Sequence, residues 1–242
     1  MGLALDRVRI SFFLFAVAAL LAPAGASAQR RISADVEVKQ AADGKVATVT
    51  KRVYCSLDGR IVVHFLKPED YFLISNVKGE TRLFIPRTNE VVVDNSAVLT
   101  SRDELVSVFM AGHAEDLGLS MYGYRLQSTT REDGLVKKTY VTDRQGDIPK
   151  VEIVYENFLP IYCGYLDASG KTLSKTYYSK YVPAGRIMLP TRVTGITYTS
   201  KKDSSVMRTI YSDIRIDDED PNYDFQVPSN AKVVTSNNLK GK

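Results

Sequence analysis

The sequence predicts a mainly β protein: one open, strongly curved antiparallel sheet, an incomplete barrel of about 10–11 strands, with a short helix inserted on its concave side. Three observations support this prediction. Apolar and polar residues alternate along many short runs that are separated by turn residues. The chain carries 14 Tyr and 9 Phe but no Trp, and aromatic residues favour strands. The alternation changes to helical spacing at only one place, near residue 100.

Alternation predicts strands in both halves of the chain, before and after residue 100. Asp58-Gly59 marks a tight hairpin turn in the first half, and Asp167–Gly170 marks another in the second. The runs that favour strands are Ile32–Lys39, Val46–Ser56, Arg60–Leu66, Tyr71–Val77, Thr81–Ile85, Glu90–Asp94, Leu135–Thr142, Val151–Glu156, Pro160–Asp167, Thr172–Val182, Leu189–Thr199 and Val206–Ile216.

The segment between the two halves has the features of one short amphipathic helix, from Ser101 to Ala111. Ser101 and Glu104 have the spacing of a capping box, in which each side chain satisfies an early helix amide. Apolar residues follow at helical spacing, and Gly112 is suited to the C-terminal cap. A less regular apolar segment, Glu115–Leu126, comes next. The helix is predicted to be either a movable lid or a fixed plug over the sheet.

The N-terminus has the parts of a secretory signal peptide. Basic residues precede the apolar run Ile10–Leu21, and small residues lead to Ala28. We predict cleavage after Ala28. A retained membrane anchor is disfavoured because the apolar run is short for a span. The first cysteine is Cys55, so no cysteine stands at the new N-terminus to accept a lipid.

After residues 1–28, we expect one domain over residues 29–234 and a frayed polar tail over 235–242. The two cysteines, Cys55 and Cys163, leave two alternatives open. An exported protein can oxidise such a pair to a disulfide, and strand-like surroundings also suit two separate buried thiols.

Composition and motifs disfavour several classes of function. The formal net charge is +4 and the basic residues are spread along the chain, which gives no basis for nucleic-acid binding. The sequence has no nucleophile elbow, glycine-rich phosphate loop or paired Cys-x-x-Cys motif. The acidic run Asp217–Asp220 lacks the spacing of a calcium loop and is typical of a solvated turn. We therefore expect a binding protein without enzymatic activity, cofactor or metal.

The order of several segments resembles the outer-membrane lipoprotein carrier family, the LolA/LolB-like superfamily. Val62–Phe72 is similar to a strand, a basic-Pro break and the next strand of that family. Gly79–Val93 is similar to its hairpin with Pro and Asn in the turn. Tyr165–Lys171 resembles its late hairpin, Met188–Pro190 the start of the following strand, and Phe225–Pro228 its terminal Phe-x-x-Pro.

The resemblance implies a bent sheet closed by helices around an apolar cavity for acyl chains. It also implies a periplasmic carrier, not itself lipidated, that shelters lipid or lipoprotein acyl chains between an inner-membrane donor and an outer-membrane acceptor. Two alternatives are a ligand-sensing or regulatory module on the same fold that contacts a membrane protein, and a structural envelope protein that fills its own concave face. The candidate cavity and lid residues are Phe65, Tyr71, Phe72, Phe84, Leu105, Val108, Phe109, Met110, Met121, Tyr122 and Tyr155.

Overall fold

A computed structural model describes residues 31–76, 78, 80–94, 104–146, 148–198 and 203–234. The predicted signal peptide and the predicted polar tail lie outside these residues. The strands are β1 (Arg31–Ala42), β2 (Lys45–Ser56), β3 (Ile61–Lys67), β4 (Tyr71–Ser75), β5 (Thr81–Ile85), β6 (Glu90–Asp94), β7 (Arg125–Glu132), β8 (Leu135–Val141), β9 (Lys150–Glu156), β10 (Leu159–Leu166), β11 (Thr172–Ala184), β12 (Ile187–Tyr198), β13 (Ser204–Ile216) and β14 (Lys232–Val234). The helix α1 spans Leu105–Met110, and short 3₁₀ turns span His113–Glu115, Leu119–Tyr122 and Pro221–Asp224.

All 14 strands belong to one sheet, in the order β14-β6-β5-β4-β3-β2-β1-β13-β12-β11-β10-β9-β8-β7. Every neighbouring pair is antiparallel except β14 with β6. The sheet does not close, since β14 and β7 lie at its two edges. This confirms the predicted fold class. The 14 strands of the described chain exceed the predicted number of about 10–11. Two of them, β7 and β14, lie outside the runs that favoured strands: all eight residues of β7 are exposed, and β14 has only three residues.

The two halves of the sheet meet where β1 pairs with β13. This antiparallel pairing runs from Ile32 opposite Ile216 to Ala41 opposite Val206, with an irregularity between Ser33 and Asp35. On its other side β1 pairs with β2 along its full length. The first strand of the chain therefore joins an N-terminal meander, β1 to β6, to a C-terminal meander, β7 to β13. We call the β1–β13 pairing the seam.

The sheet has two differently covered faces, which follow from the alternation of side chains along each strand. One face carries α1, and we call it the helix face. Its buried core includes residues from β1, β2, β3, β11, β12 and β13 together with α1. The members are Ile32, Ala34, Val36, Val53, Cys55, Ile61, Val63, Val106, Val108, Phe109, Ala184, Leu189 and Tyr211.

The opposite, outer face of the N-terminal half is covered by residues 220–231, which we call the C-terminal segment. Tyr223 is fully buried against Tyr54, with the ring centroids 5.3 Å apart. The ring of Phe225 stacks on Phe72 at 4.0 Å. Arg60 donates from Nε to the Tyr223 carbonyl at 3.2 Å and from its guanidinium to the Phe225 carbonyl. Stacking and charged hydrogen bonds thus attach this segment to the sheet.

Cys55 and Cys163 are separate free thiols. Each is fully buried, Cys55 in the core of the helix face and Cys163 in a second core formed by β8, β9 and β10. Of the two alternatives that the sequence left open, the structure shows two buried thiols. Burial raises the pKa of Cys163 to about 12, and burial also raises the pKa of Cys55 well above its ordinary value.

We expect Phe225→Ala to lower the free energy of unfolding by about 2–3 kcal/mol, because it removes the ring that stacks on Phe72 and leaves a cavity. Phe158→Ala is the matched control. Its side chain is 99% exposed, and its effect should stay below about 0.5 kcal/mol. Urea denaturation of both variants measures the difference, and equal effects would contradict this account of the C-terminal segment.

The two thiols should resist alkylation and disulfide exchange in the native protein at about pH 8, because only a thiolate reacts and burial keeps both groups protonated. After unfolding in guanidinium, both cysteines should react. A chromogenic disulfide reagent measures the exchange with and without denaturant. Rapid reaction of either native thiol would show that its strand is open to solvent.

Candidate functional site

The helix α1 lies on the helix face across the seam and contacts β2 on one side and β12 on the other. It anchors itself through Val106, which is fully buried, and Phe109, which is 2% exposed. The helix ends at Ala111, and Gly112 follows with φ of 81°. Glycine adopts this left-handed conformation without the strain that a Cβ would bring. The prediction of a short helix on one face of the sheet is therefore confirmed.

The predicted capping box is wrong in its role for Glu104. Glu104 is the residue before the first helical turn, and its side chain makes no capping hydrogen bond to that turn; Ser101 lies outside the described residues. The Glu104 carboxylate instead accepts hydrogen bonds from Lys51 Nζ on β2, at 3.0 and 3.2 Å. A charged lysine across the site competes successfully with the helix amides for the same oxygens.

The Lys51–Glu104 ion pair lies in largely apolar surroundings. Both side chains are only 15% exposed. The Lys51 ammonium also lies 5.7 Å from the centroid of the Phe65 ring, and Val36 is the cross-strand neighbour of Lys51 on β1. Removing one partner of such a pair typically costs about 3–5 kcal/mol, because the other charge stays buried without compensation.

The 3₁₀ segment that follows α1, residues 113–122, is attached to β8 and β9 by polar contacts. The hydroxyls of Tyr140 and Tyr155 both donate to the Glu115 carbonyl, the former at 3.4 Å. Lys138 forms an ion pair with the Glu115 carboxylate at 2.6 Å. Tyr155 thus lies beneath this segment, with its hydroxyl already used in a structural hydrogen bond.

Asp116 organises the turn inside this segment. Its carboxylate accepts hydrogen bonds from the amides of Gly118 and Ser120, each at 2.9 Å. Burial alone would raise the pKa of Asp116, but the hydrogen bonds from Ser120 and Gly118 outweigh burial and lower it. The ionised carboxylate therefore stabilises the turn.

A cavity of about 190 Å³ lies where the C-terminal end of α1, the 3₁₀ segment and the β2–β3 turn meet. Val108, Met110 and Met121, three of the candidate lining residues, line it together with Leu57 of the turn. Small-molecule pockets usually measure about 300–1,000 Å³, so this cavity is smaller than a typical ligand pocket. Val106 and Phe109 of α1 are buried in the core of the helix face.

The other predicted lining residues separate into two groups. Phe65 and Tyr71 lie on the helix face and stack at 4.2 Å. Phe72 and Phe84 lie on the outer face, beneath Phe225. Successive residues of a strand point to opposite faces, so Tyr71 and Phe72 cannot both face α1. The structure therefore does not bring Phe72 and Phe84 together with the cavity residues.

The remaining predicted residues lie along α1 and just after it. Leu105 and Met110 pack partly buried against the core of the helix face. Tyr122 is 40% exposed at the end of the 3₁₀ segment. The outer face carries two further clefts of about 180 and 310 Å³, one on each side of Val227. These clefts flank the C-terminal segment and are separate from α1.

Lys51 was not among the predicted site residues. The sequence pattern nevertheless places it on the helix face, because Lys51 alternates in phase with Val53 and Cys55, both buried on that face. A lysine that points to the same face as core residues needs a partner of opposite charge. The partner, Glu104, is 53 residues away in the chain, so no local pattern could identify it.

In the described part of the chain, no three His, Cys, Asp or Glu side chains are grouped so that they could hold a metal ion. None of the helices in that same part is long and apolar enough to cross a membrane.

We expect Asp116→Asn to lower the free energy of unfolding near pH 7 by about 1–2 kcal/mol, since a charged acceptor of two amides is lost. Because the folded pKa lies below the unfolded value of about 3.9, this stabilisation is present above that value and disappears as the pH falls through the folded pKa. Urea midpoints between about pH 7 and pH 3 should therefore converge for variant and parent. Asp133→Asn, in an exposed hairpin turn, is the control, and a gap that persists at low pH would contradict the assignment.

Comparison with known proteins adds a fold relationship to this geometry. No protein-family profile matches the sequence, and no curated protein matches it. A solved LolA superfamily protein of Nitrosomonas europaea is 14% identical, with a TM-score of 0.54 over 82% of this chain and 91% of that one. A DUF1329 family protein of Desulfovibrio piger is also 14% identical, with a TM-score of 0.56 over 81% and 90%.

A third solved structure, a putative outer membrane lipoprotein-sorting protein domain of Vibrio parahaemolyticus, is 12% identical with a TM-score of 0.54 over 80% of this chain and 89% of that chain. At such identities the similarity is one of fold. The chain therefore has a LolA-like fold.

Proposed function

We propose that this protein is a periplasmic carrier that shelters acyl chains of lipids or lipoproteins on the helix face, beneath α1. The observation that carries the proposal is the arrangement at the seam. A short, separate helix covers the apolar face of a bent sheet, and a cavity already opens at one end of that helix. In this proposal α1, with Glu104 and Ala111 at its ends, is a lid that leaves the sheet when cargo binds.

The magnitudes fit a reversible exchange between lid and cargo. Lifting α1 exposes Val106, Val108 and Phe109, which are now buried. At about 2 kcal/mol for each side chain, this costs about 6 kcal/mol. An acyl chain contributes about 0.8 kcal/mol per buried methylene, so about eight methylenes offset the exposure. A longer tail leaves a moderate surplus, which suits a carrier that must also release its cargo.

The contacts distinguish the part that moves from the part that stays. The 3₁₀ segment is attached to β8 and β9 through Tyr140, Tyr155 and Lys138. The lid is held by its apolar side chains and by the single described ion pair of Glu104 with Lys51. Gly112, between the two, has a φ of 81°. Because glycine has no Cβ, its backbone can rotate more freely than that of other residues, which supports a hinge there.

Export and transfer partners follow from the sequence and the fold together. The predicted signal peptide supports export to the periplasm, and the similarity of fold to a putative lipoprotein-sorting domain supports acyl cargo. In this proposal an inner-membrane donor delivers the cargo and an outer-membrane acceptor receives it.

The direct experiment is to purify the mature protein from the periplasm and extract it for lipid mass spectrometry, followed by titration with a fluorescent fatty-acyl probe. We expect bound lipid or saturable probe uptake. Protein that yields no lipid and takes up no probe is not an acyl carrier.

Met121→Lys should weaken uptake of the acyl probe about tenfold or more, because it places a charge in the wall of the cavity where the tail must pass. Leu126→Lys is the matched control, since Leu126 is 51% exposed on the edge strand β7. Probe titrations of the two variants, with melting curves to show that both are folded, measure the effect. Equal uptake by both variants would place the ligand elsewhere on the molecule.

A second candidate function is a regulatory module that contacts a membrane protein. The observation in its favour is β7, an eight-residue edge strand on which every residue is exposed. Such an edge can accept a strand of another protein through backbone hydrogen bonds. A stable protein partner that is lost when Thr129→Pro is introduced into β7, together with the absence of bound lipid, would favour this candidate over the carrier.

A further inference from the structure

We propose that the acyl cargo carries an anionic group at one end, and that this group binds Lys51 in the position that the Glu104 carboxylate occupies when the lid is closed. This inference rests on the proposed carrier function, because it assigns a chemical class to the ligand of the same site. The shared chemistry is an oxyanion, a carboxylate or a phosphate, on a hydrocarbon tail.

Lys51 lies on β2 and points to the helix face. Its two cross-strand neighbours there are apolar, Val36 on β1 and Phe65 on β3. Among the described ion pairs, the one that includes Lys51 is with Glu104. A lysine that is 15% exposed on an apolar face is therefore neutralised by a carboxylate that belongs to the lid and not to the sheet.

Departure of the lid separates the two charges. Glu104 immediately precedes α1, so it moves with the helix, whereas Lys51 stays on β2. A neutral hydrocarbon that filled the space would leave the ammonium against apolar groups without a counter-charge, which is strongly unfavourable. A tail that ends in an oxyanion replaces the lost ion pair. With the lid closed, the Glu104 carboxylate therefore occupies the position on Lys51 that the oxyanion of the cargo would take.

The distance along β2 from Lys51 to the cavity matches the length of one fatty tail. Lys51 lies at the N-terminal end of α1, and the existing cavity lies at the C-terminal end, against Ser56 of the same strand. The five residue steps from Lys51 to Ser56 span roughly 17 Å of β2. A fatty tail occupies one leaflet of a bilayer, whose hydrocarbon thickness is about 15 Å. One tail therefore fits between a head group at Lys51 and a tail end near Met121.

The experiment measures competition by three ligands of equal chain length, hexadecanoate, hexadecyl phosphate and hexadecanol, against a fluorescent acyl probe on the mature protein. We expect at least one of the two anions to bind about tenfold more tightly than the alcohol, a difference of about 1.4 kcal/mol. Which anion binds more tightly distinguishes a fatty acid from a phosphate-bearing lipid.

The variants separate the role of Lys51 from a general effect on folding. Lys51→Met should abolish the preference for anions, and the double variant Lys51→Met, Glu104→Gln should do the same without leaving an unpaired carboxylate. Lys39→Met removes a 53%-exposed lysine of β1 and should leave the preference intact. Glu104→Gln should strengthen binding of all three ligands while preserving their ratio, because the closed lid loses its ion pair.

The outcomes distinguish this inference from the proposed function. Equal affinity for anions and alcohol in the parent protein, or a preference that survives in a folded Lys51→Met variant, would overturn the inference and leave the carrier function standing. Failure to bind any of the three ligands or the probe would overturn both.

Discussion

The pairing of β1 with β13 is the contact on which the rest of the structure depends. Without it the N-terminal and C-terminal meanders would be two separate sheets. The seam places Val36 and Tyr211 side by side on one face, and α1 lies over this junction. The curved face that could receive a ligand therefore exists only because the first strand of the domain pairs with one of the last.

The seam also explains the position of α1 and of the Lys51–Glu104 ion pair. A helix that contacts both β2 and β12 lies over the seam between them, and the Glu104 carboxylate just before its first turn reaches Lys51 on β2. The buried lysine and the carboxylate before α1 are then brought together by the topology, although 53 residues separate them. The ion pair attaches the start of α1 to β2. Its removal from water is tolerated because each charge neutralises the other.

Sequence reasoning reached the single open sheet and the helix on one face, because both depend on local periodicity. It could not assign Phe72 and Phe84 to the outer face, since which face of a strand meets the helix depends on register with distant strands. Nor could it find β7, whose eight exposed residues carry no alternation. Val108, Met110 and Met121 line one cavity because α1 and the 3₁₀ segment that follows it are adjacent in the chain; whether that cavity binds a ligand stays a prediction.

The two covers of the sheet are attached in different ways. The outer cover is joined to the sheet by the Phe225–Phe72 stack and by Arg60, which donates to two backbone carbonyls. The inner cover is α1, whose polar attachment is a side-chain carboxylate on a lysine, which any oxyanion can imitate. Apolar contacts on that face are equally replaceable, since a hydrocarbon tail buries the same kind of surface as Val106 or Phe109. The described contacts of α1 with the sheet, its apolar packing and its ion pair with Lys51, therefore have equivalents in an anionic lipid, and for this reason the carrier proposal assigns binding and release to the helix face.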